Sequence, residues 1–338
     1  MAEFGISRTT VRRALGVLAR AGLLQALAGR GSIVHGQVPP APAAEGGIRA
    51  ILLVVPTFSD PFYGELVDAI EQEARRHGLS VIAGQSDYCV ESESRQLAAA
   101  ASDPVVRAVV VVPSSVAAPS PGAQALAATG KPLVYLGRWP ADGSGADSIG
   151  TDYREAAFQA TRHLLARGDH RIAYVEGRPH LPGFSPRAGY AAALLEAGIA
   201  APDELVRILD LPAEEAGARG VAAMIAAGIP FSAVLARNDV TAMGVLRALR
   251  EAGLAVPGDV AVASINNSVL ARSVDPPLTS VDTFPHVVGR MAVRLVQDRL
   301  DRVTTGPAVH LTVGSALIVR PSTATAPAAR RRQTAQFA

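Results

Sequence analysis

The 338 residues carry 49 % apolar and 18 % charged side chains, a balance that supports a sizeable core and excludes a globally disordered chain. A single cysteine, Cys89, excludes an internal disulfide and a cysteine metal site, and no apolar run approaches membrane-spanning length. The net charge of +2 is unevenly spread: residues 1–36 hold five arginines against Glu3, and Arg330, Arg331 and Arg332 add a basic tail. The middle is therefore acidic, and only the N-terminal stretch suits a polyanion.

Residues 7–36 read SRTTVRRALGVLARAGLLQALAGRGSIVHG. Ser7 suits a helix N-cap, because its hydroxyl can take a free N–H of the first turn. Val11, Ala14, Leu15 and Leu18 recur at helical spacing and predict one apolar face. Arg8 with Arg12, and Thr9 with Arg13, stack one turn apart away from that face. Gly22 suits the C-cap, and a tight turn at Gly29-Arg30-Gly31 between two short runs predicts a β-hairpin with an arginine at its tip. A helix bearing guanidinium and hydroxyl groups, followed by a basic-tipped hairpin, is equipment for DNA grooves.

The segments EFGISRTTVRRAL, ARAGLL and GRGSIV resemble the winged helix-turn-helix head of the GntR family of bacterial repressors. The resemblance implies that Arg8, Thr9, Thr10, Arg12 and Arg13 face the groove and phosphates of operator DNA, and that Arg30 enters the minor groove. Heads of that family begin with a full helix before the EFGIS-like segment. The resemblance therefore implies either a start upstream of Met1 or a recognition helix without its packing partner.

Residues 37–48, rich in Pro, Ala and Gly, predict a linker. The run ILLVVP over 51–56 is continuous and apolar, the mark of a strand covered on both faces. Strand and helix then alternate: a helix over 63–77, LSVIAG, a helix over 92–101, VVRAVVVVP, a helix over 123–129 and PLVYLG. A second series runs from a helix over 153–167 through RIAYVEG, a helix over 188–197, LVRILDLP, a helix over 213–227, SAVLAR, a helix over 239–252 and DVAVASI. A helix over 285–301 and closing strands follow. Repeated β-α units predict an α/β fold of two parallel sheets flanked by helices. The expected lobes are 49–152 with 284–306, and 153–283 with 307–321, joined by more than one crossover. From Ser322 to the end a disordered tail is expected.

Parallel sheets bind ligands beyond the carboxyl ends of their strands, and facing lobes bind them in the cleft between. Past the strands of the first series stand Asp60-Pro61-Phe62-Tyr63, Ser86-Asp87-Tyr88, Ser114 and Arg138-Trp139, with Asp152 at its end. The second series offers Arg187, Asn238-Asp239 and Asn266-Asn267. Carboxylates, amides, arginines and aromatic rings together suit a polyhydroxylated ligand: planar groups pair with hydroxyls, and rings carry the C–H faces of a sugar.

Residues 49–322 resemble the sensor domain of the LacI/GalR repressors through VPTFSDPFYGELVDAIEQEA, IGTDYREAAFQATRHLLARGDHRIAYVEG, RNDVTAMGVLRALREAGLAVPGDVAVASI, DPPLTSVDTFPHVVGRMAV and VRPST. By that resemblance the effector contacts are Phe62, Tyr63, Asp87, Ser114, Arg138, Asp152, Arg187, Asn238 and Asn266. The family usually has Asp where Asn266 stands, and Arg187 sits one residue closer to its Gly-Tyr pair than usual, so either an altered ligand preference or weaker binding is expected. No Gly-rich phosphate loop, GxSxG elbow or HExxH occurs, and the histidines lack ligand spacing, so neither an enzyme nor a metal or cofactor site is expected. The reading is a cytoplasmic, homodimeric regulator, most simply a repressor, with operator DNA and a small effector, a sugar, as partners. The alternative is a sugar-binding protein whose head binds no DNA.

Overall fold

The computed structural model describes residues 24–27, 31–34, 48–137, 145–178 and 186–324. The chain divides into two compact units, Met1–Ile48 and Arg49–Ala338. In the first, strands β1 (Leu24–Leu27) and β2 (Gly31–Val34) pair antiparallel, Leu24 opposite Val34 and Leu27 opposite Gly31. This is the expected hairpin. The helix bearing Arg8, Thr9, Thr10, Arg12 and Arg13, and the tip residue Arg30, lie outside the described residues.

The second unit begins β3 (Ala50–Val55), α1 (Pro61–Arg76), β4 (Ser80–Gln85), α2 (Val90–Ser102), β5 (Val106–Val111), α3 (Pro121–Ala128), β6 (Leu133–Leu136) and β7 (Asp147–Thr151). It continues α4 (Tyr153–Ala166), β8 (Ile172–Glu176), α5 (Pro186–Glu196), β9 (Val206–Ile208), α6 (Ala213–Ala226), β10 (Ala233–Ala236), α7 (Asp239–Glu251), β11 (Ala261–Asn266), α8 (Val269–Ser273) and β12 (Thr279–Asp282). It closes with α9 (Pro285–Leu300), β13 (His310–Val313) and β14 (Ala316–Ile318). Two six-stranded sheets result, ordered β13-β7-β6-β5-β3-β4 and β14-β12-β11-β10-β8-β9. All pairings within them are parallel except β12 with β14.

Each sheet is covered on both faces, which is why its central strands read as unbroken apolar runs. In β3, Ile51, Leu53 and Val55 face Leu66, Ile70, Val288, Val293 and Val296 of α1 and α9. Leu52 and Val54 point the other way, to Leu97 of α2 and Leu126 of α3. The second sheet repeats the arrangement, with Tyr174, Leu235 and Ile265 against α4 and α5, and Val175, Val234 and Val262 against α6 and α7. Helices α6 and α7 approach backbone to backbone: a Cβ on Gly244 would lie 1.9 Å from the carbonyl oxygen of Glu214.

The chain passes between the two lobes three times, after β7, after β12 and after β13. Thr151 Oγ1 donates to the Thr283 carbonyl at 2.6 Å and so ties two crossovers together. Two boundaries differ from expectation. Residues 310–313, expected in the second lobe, form β13 and pair with β7 of the first, because β13 supplies the outer neighbour that β7 would otherwise lack. Ser322 and Thr323, expected to fray, are buried. Ser322 Oγ donates to the Val262 carbonyl and accepts from Thr279 N–H, at 2.6 and 2.8 Å, so these residues close the end of the second sheet.

Candidate functional site

The parallel register brings the carboxyl ends of β8, β10, β11 and β12 level, since Val175 pairs with Ala236, Leu235 with Ala263, and Asn266 with Asp282. Glu176, Arg237, Asn238, Asn266 and Asp282 therefore stand side by side along one edge of the second lobe. Opposite them, past β3, stand Asp60 to Tyr63 of the first lobe.

Several of these residues are of their type for a local reason. Asp60, Asp152 and Asn238 each cap the helix that follows, satisfying an N–H with no intrahelical partner. Asp60 Oδ1 accepts from Phe62 N–H at 3.0 Å, Asp152 Oδ1 from Glu155 N–H at 3.0 Å, and Asn238 Oδ1 from Thr241 N–H at 2.9 Å. The lobes meet here: Asn238 Nδ2 donates to Asp60 Oδ2 at 3.4 Å, and Val269 N–H at the start of α8 donates to Glu65 Oε1 at 3.1 Å. Burial pushes the Asp60 carboxyl up to about 6, with Asp239 and Glu65 adding to the rise while the Phe62 N–H and Arg237 oppose it. Burial also raises Glu65.

The remaining expected contacts divide by position. Phe62 packs edge-on against Tyr63, ring centroids 5.2 Å apart, at the N-terminus of α1. Ser114 donates its N–H to buried Glu93 and its hydroxyl to Ser86 at 3.2 Å. Asp87 is exposed, in the left-handed region (φ 56°), and accepts from Gln85. Among the described residues, these hydrogen bonds of Ser114 and Asp87 stay within the first lobe. Arg187 is exposed at the start of α5. Arg138 lies outside the described residues.

Asn266 is the most constrained. It is 5 % exposed, lies at φ 107°, and is followed by Asn267 at φ 51°, two consecutive left-handed conformations that a non-glycine residue rarely adopts. Asp239 holds this turn. Its Oδ1 accepts from Ser264 and Ser280 at 2.6 and 2.7 Å, and its Oδ2 from the N–H and hydroxyl of Ser268 at 2.7 and 2.9 Å. Asn267 donates to Asp282 at 2.9 Å and accepts from Arg320 at 2.6 Å. All of these atoms are satisfied, yet Asn266 Oδ1 is buried without a hydrogen-bond partner.

Arg237 and Glu176 are missed by the sequence reading, although the strand-end rule that selects Asn238 applies equally to its neighbour. The Arg237 guanidinium lies over the Tyr153 ring at 4.7 Å, and its Nε stands 3.5 Å from Glu176 Oε1. Tyr174 OH donates to Glu176 Oε2 at 2.7 Å. Burial lowers the Arg237 pKa, but Glu176 with Tyr153, Tyr174 and Tyr63 outweighs it and holds the guanidinium charged. Among the described residues no three metal-ligating side chains converge.

Residues 161–323 match a periplasmic binding protein-like domain, and residues 1–34 match the gntR family of bacterial regulatory proteins. The HTH-type transcriptional regulator GalR of Escherichia coli is 31 % identical over 289 residues, 84 % of this chain and 81 % of its own length. The regulator CelR of Thermobifida fusca is 31 % identical over 270 residues, 78 % of this chain and 77 % of its own. Among solved structures, a complex of the transcriptional regulator CelR with cellobiose superimposes with a TM-score of 0.71 at 26 % identity, covering 95 % of this chain and 93 % of that one. The transcription regulator CcpA of Lactococcus lactis gives 0.72 at 26 % identity, covering 82 % and 99 %.

Proposed function

Because the chain belongs to the LacI/GalR family of transcriptional regulators, we propose that it is a ligand-responsive, DNA-binding repressor whose two-lobed unit takes a sugar between the lobes. The observation that carries the ligand half is Asn266. A buried acceptor without a donor costs about 1–3 kcal/mol, and a ligand hydroxyl reaching the end of β11 would recover it. Asn238, at the neighbouring strand end, already meets Asp60 of the other lobe, so a ligand held there touches both walls. Phe62, Tyr63, Asp87, Ser114, Arg138, Asp152, Arg187, Asn238 and Asn266 are the proposed effector contacts.

The three crossovers act as the hinge. A ligand that contacts both walls binds the closed arrangement better than the open one, and it shifts the equilibrium by that difference in affinity and no more. In a homodimer, closure changes the spacing of two heads on a palindromic operator, so ligand and DNA affect each other's binding reciprocally. The match of residues 1–34 to the gntR family supports the DNA half, with Arg8, Thr9, Thr10, Arg12, Arg13 and Arg30 as the proposed contacts. Such a protein works in the cytoplasm, beside its operator.

Fluorescence anisotropy of the full chain on DNA adjacent to its own gene, against a scrambled duplex, tests this reading. Preferential binding that one of ribose, galactose or cellobiose alters is the expected result. Equal binding to both duplexes would refute the DNA half; preference without response to any sugar would refute the ligand half.

A further inference from the structure

We propose that Arg237, Glu176 and Asp60 form a reader of adjacent hydroxyl groups, assembled from both lobes, that selects a neutral sugar over its acidic counterpart. The inference rests on the sugar reading of the cleft and extends it by naming the residues and the charge of the ligand.

Arg237 has more donors than the edge of the second lobe uses. Its side chain is 11 % exposed, its Nε is buried without a hydrogen bond, and among the described residues neither Nη donates one. A guanidinium has five N–H donors in one plane. The Tyr153 ring covers a face of that plane, 4.7 Å away, which leaves the donors directed outward from its edge. The ion contact to Glu176 is long at 3.5 Å.

Asp60, from the other lobe, meets Asn238, the residue next to Arg237. It and Arg237 influence each other electrostatically, but no ion pair within 4 Å joins them. One Asp60 oxygen serves the Phe62 N–H, and the other holds only the 3.4 Å contact to Asn238. A carboxylate offers about four acceptor positions, so two remain. Opposite charges from opposite lobes thus stand apart, with unused donors on one side and unused acceptors on the other.

Two hydroxyls on adjacent sugar carbons match this arrangement. Their oxygens accept the two Nη–H bonds of Arg237, and their protons go to Asp60 and Glu176. A ligand carboxylate could accept from Arg237 but has no proton to give either acid, and it would meet two negative charges around a cation that Glu176 already neutralises. The nearby Asp239 has its oxygens taken by three serines and so offers the ligand no acceptor, while its influence on Asp60 shows that it adds negative charge to the cleft, which works further against a carboxylate. The donors come from one lobe and Asp60 from the other, so the set is complete only when the lobes are closed.

Thermal shift and isothermal titration of the full chain with matched pairs, D-glucose with D-glucuronate and D-galactose with D-galacturonate, together with cellobiose, test the proposal. A neutral sugar is expected to raise the Tm where its acid partner does not, and Arg237→Met and Asp60→Asn are each expected to weaken it about tenfold to a hundredfold, the range for a hydrogen bond to a charged group. Asp60→Asn is isosteric and serves where Arg237→Met fails to fold. Tighter binding of the acid partner overturns the proposal and leaves the sugar reading standing, as does neutral binding unchanged in both variants. Binding of no sugar in the panel overturns the sugar reading, and this proposal with it.

Discussion

Replacing Asp60 with Asn alters the charge of the cleft while preserving its shape. Burial is the largest influence on this carboxyl and moves it from 3.8 to about 6. An acid whose pKa is higher folded than unfolded holds its proton more tightly when folded. Its stabilising contribution is therefore complete below about pH 4 and is lost as the pH rises through 6. A rise of about 2 units corresponds to about 3 kcal/mol at 1.36 kcal/mol per unit. Asn remains a good N-cap and carries no charge to desolvate, so the variant should recover most of that at pH 7.5 and nothing at pH 4. At roughly 2–4 °C per kcal/mol for a chain of this size, the Tm should rise by about 5–10 °C at pH 7.5. Calorimetric melts of both proteins from pH 4 to 8 should show the difference opening between pH 4 and 6. A difference independent of pH refutes the reasoning, and a variant less stable at pH 7.5 would mean that attraction to Arg237 outweighs burial.

Asp239→Ala removes the acceptor of four hydrogen bonds from Ser264, Ser268 and Ser280 and should cost about 3–5 kcal/mol, read as a fall in urea midpoint; an unchanged midpoint would show that the Asn266 turn is held by something else. Gly244→Ala sets a methyl 1.9 Å from the Glu214 carbonyl oxygen and 2.7 Å from the Ala218 nitrogen, so α6 and α7 must part at a cost of about 1–3 kcal/mol. A melt identical to wild type would contradict that packing. Arg12→Ala with Arg13→Ala should weaken DNA binding and flatten its salt dependence, by about one unit of log–log slope for each phosphate that is no longer neutralised; an unchanged slope removes both from the DNA interface.

The alternating series and the two parallel sheets were legible because each central strand is buried on both faces and each helix on one, so burial writes its period into the residues. Strand β7 was not legible. Its sequence, DSIGT, has no apolar run, and it is a strand because β6 and β13 pair with it on either side. Its buried Asp147 is neutralised by Arg299, whose Nη2 lies 2.6 Å away from a helix 152 positions later. The same limit misplaced residues 310–313 and hid the packing of Ser322 and Thr323, which depends on sheet edges formed by distant segments.

Strand-end chemistry likewise pointed to Asn238 and Asn266 from sequence alone, since a polar residue after an apolar run marks where a strand leaves the core. Local pattern determined which residues stand at strand ends and which helices they cap. Only the tertiary structure decided that Asp60 meets Asn238 across 178 positions of chain, that Arg237 lies on Tyr153 beside Glu176, and that Asn266 Oδ1 is left without a partner. Periodicity records what each segment buries against its own neighbours. Which charges face one another is set by the order of strands in two sheets and by the closure of one lobe on the other.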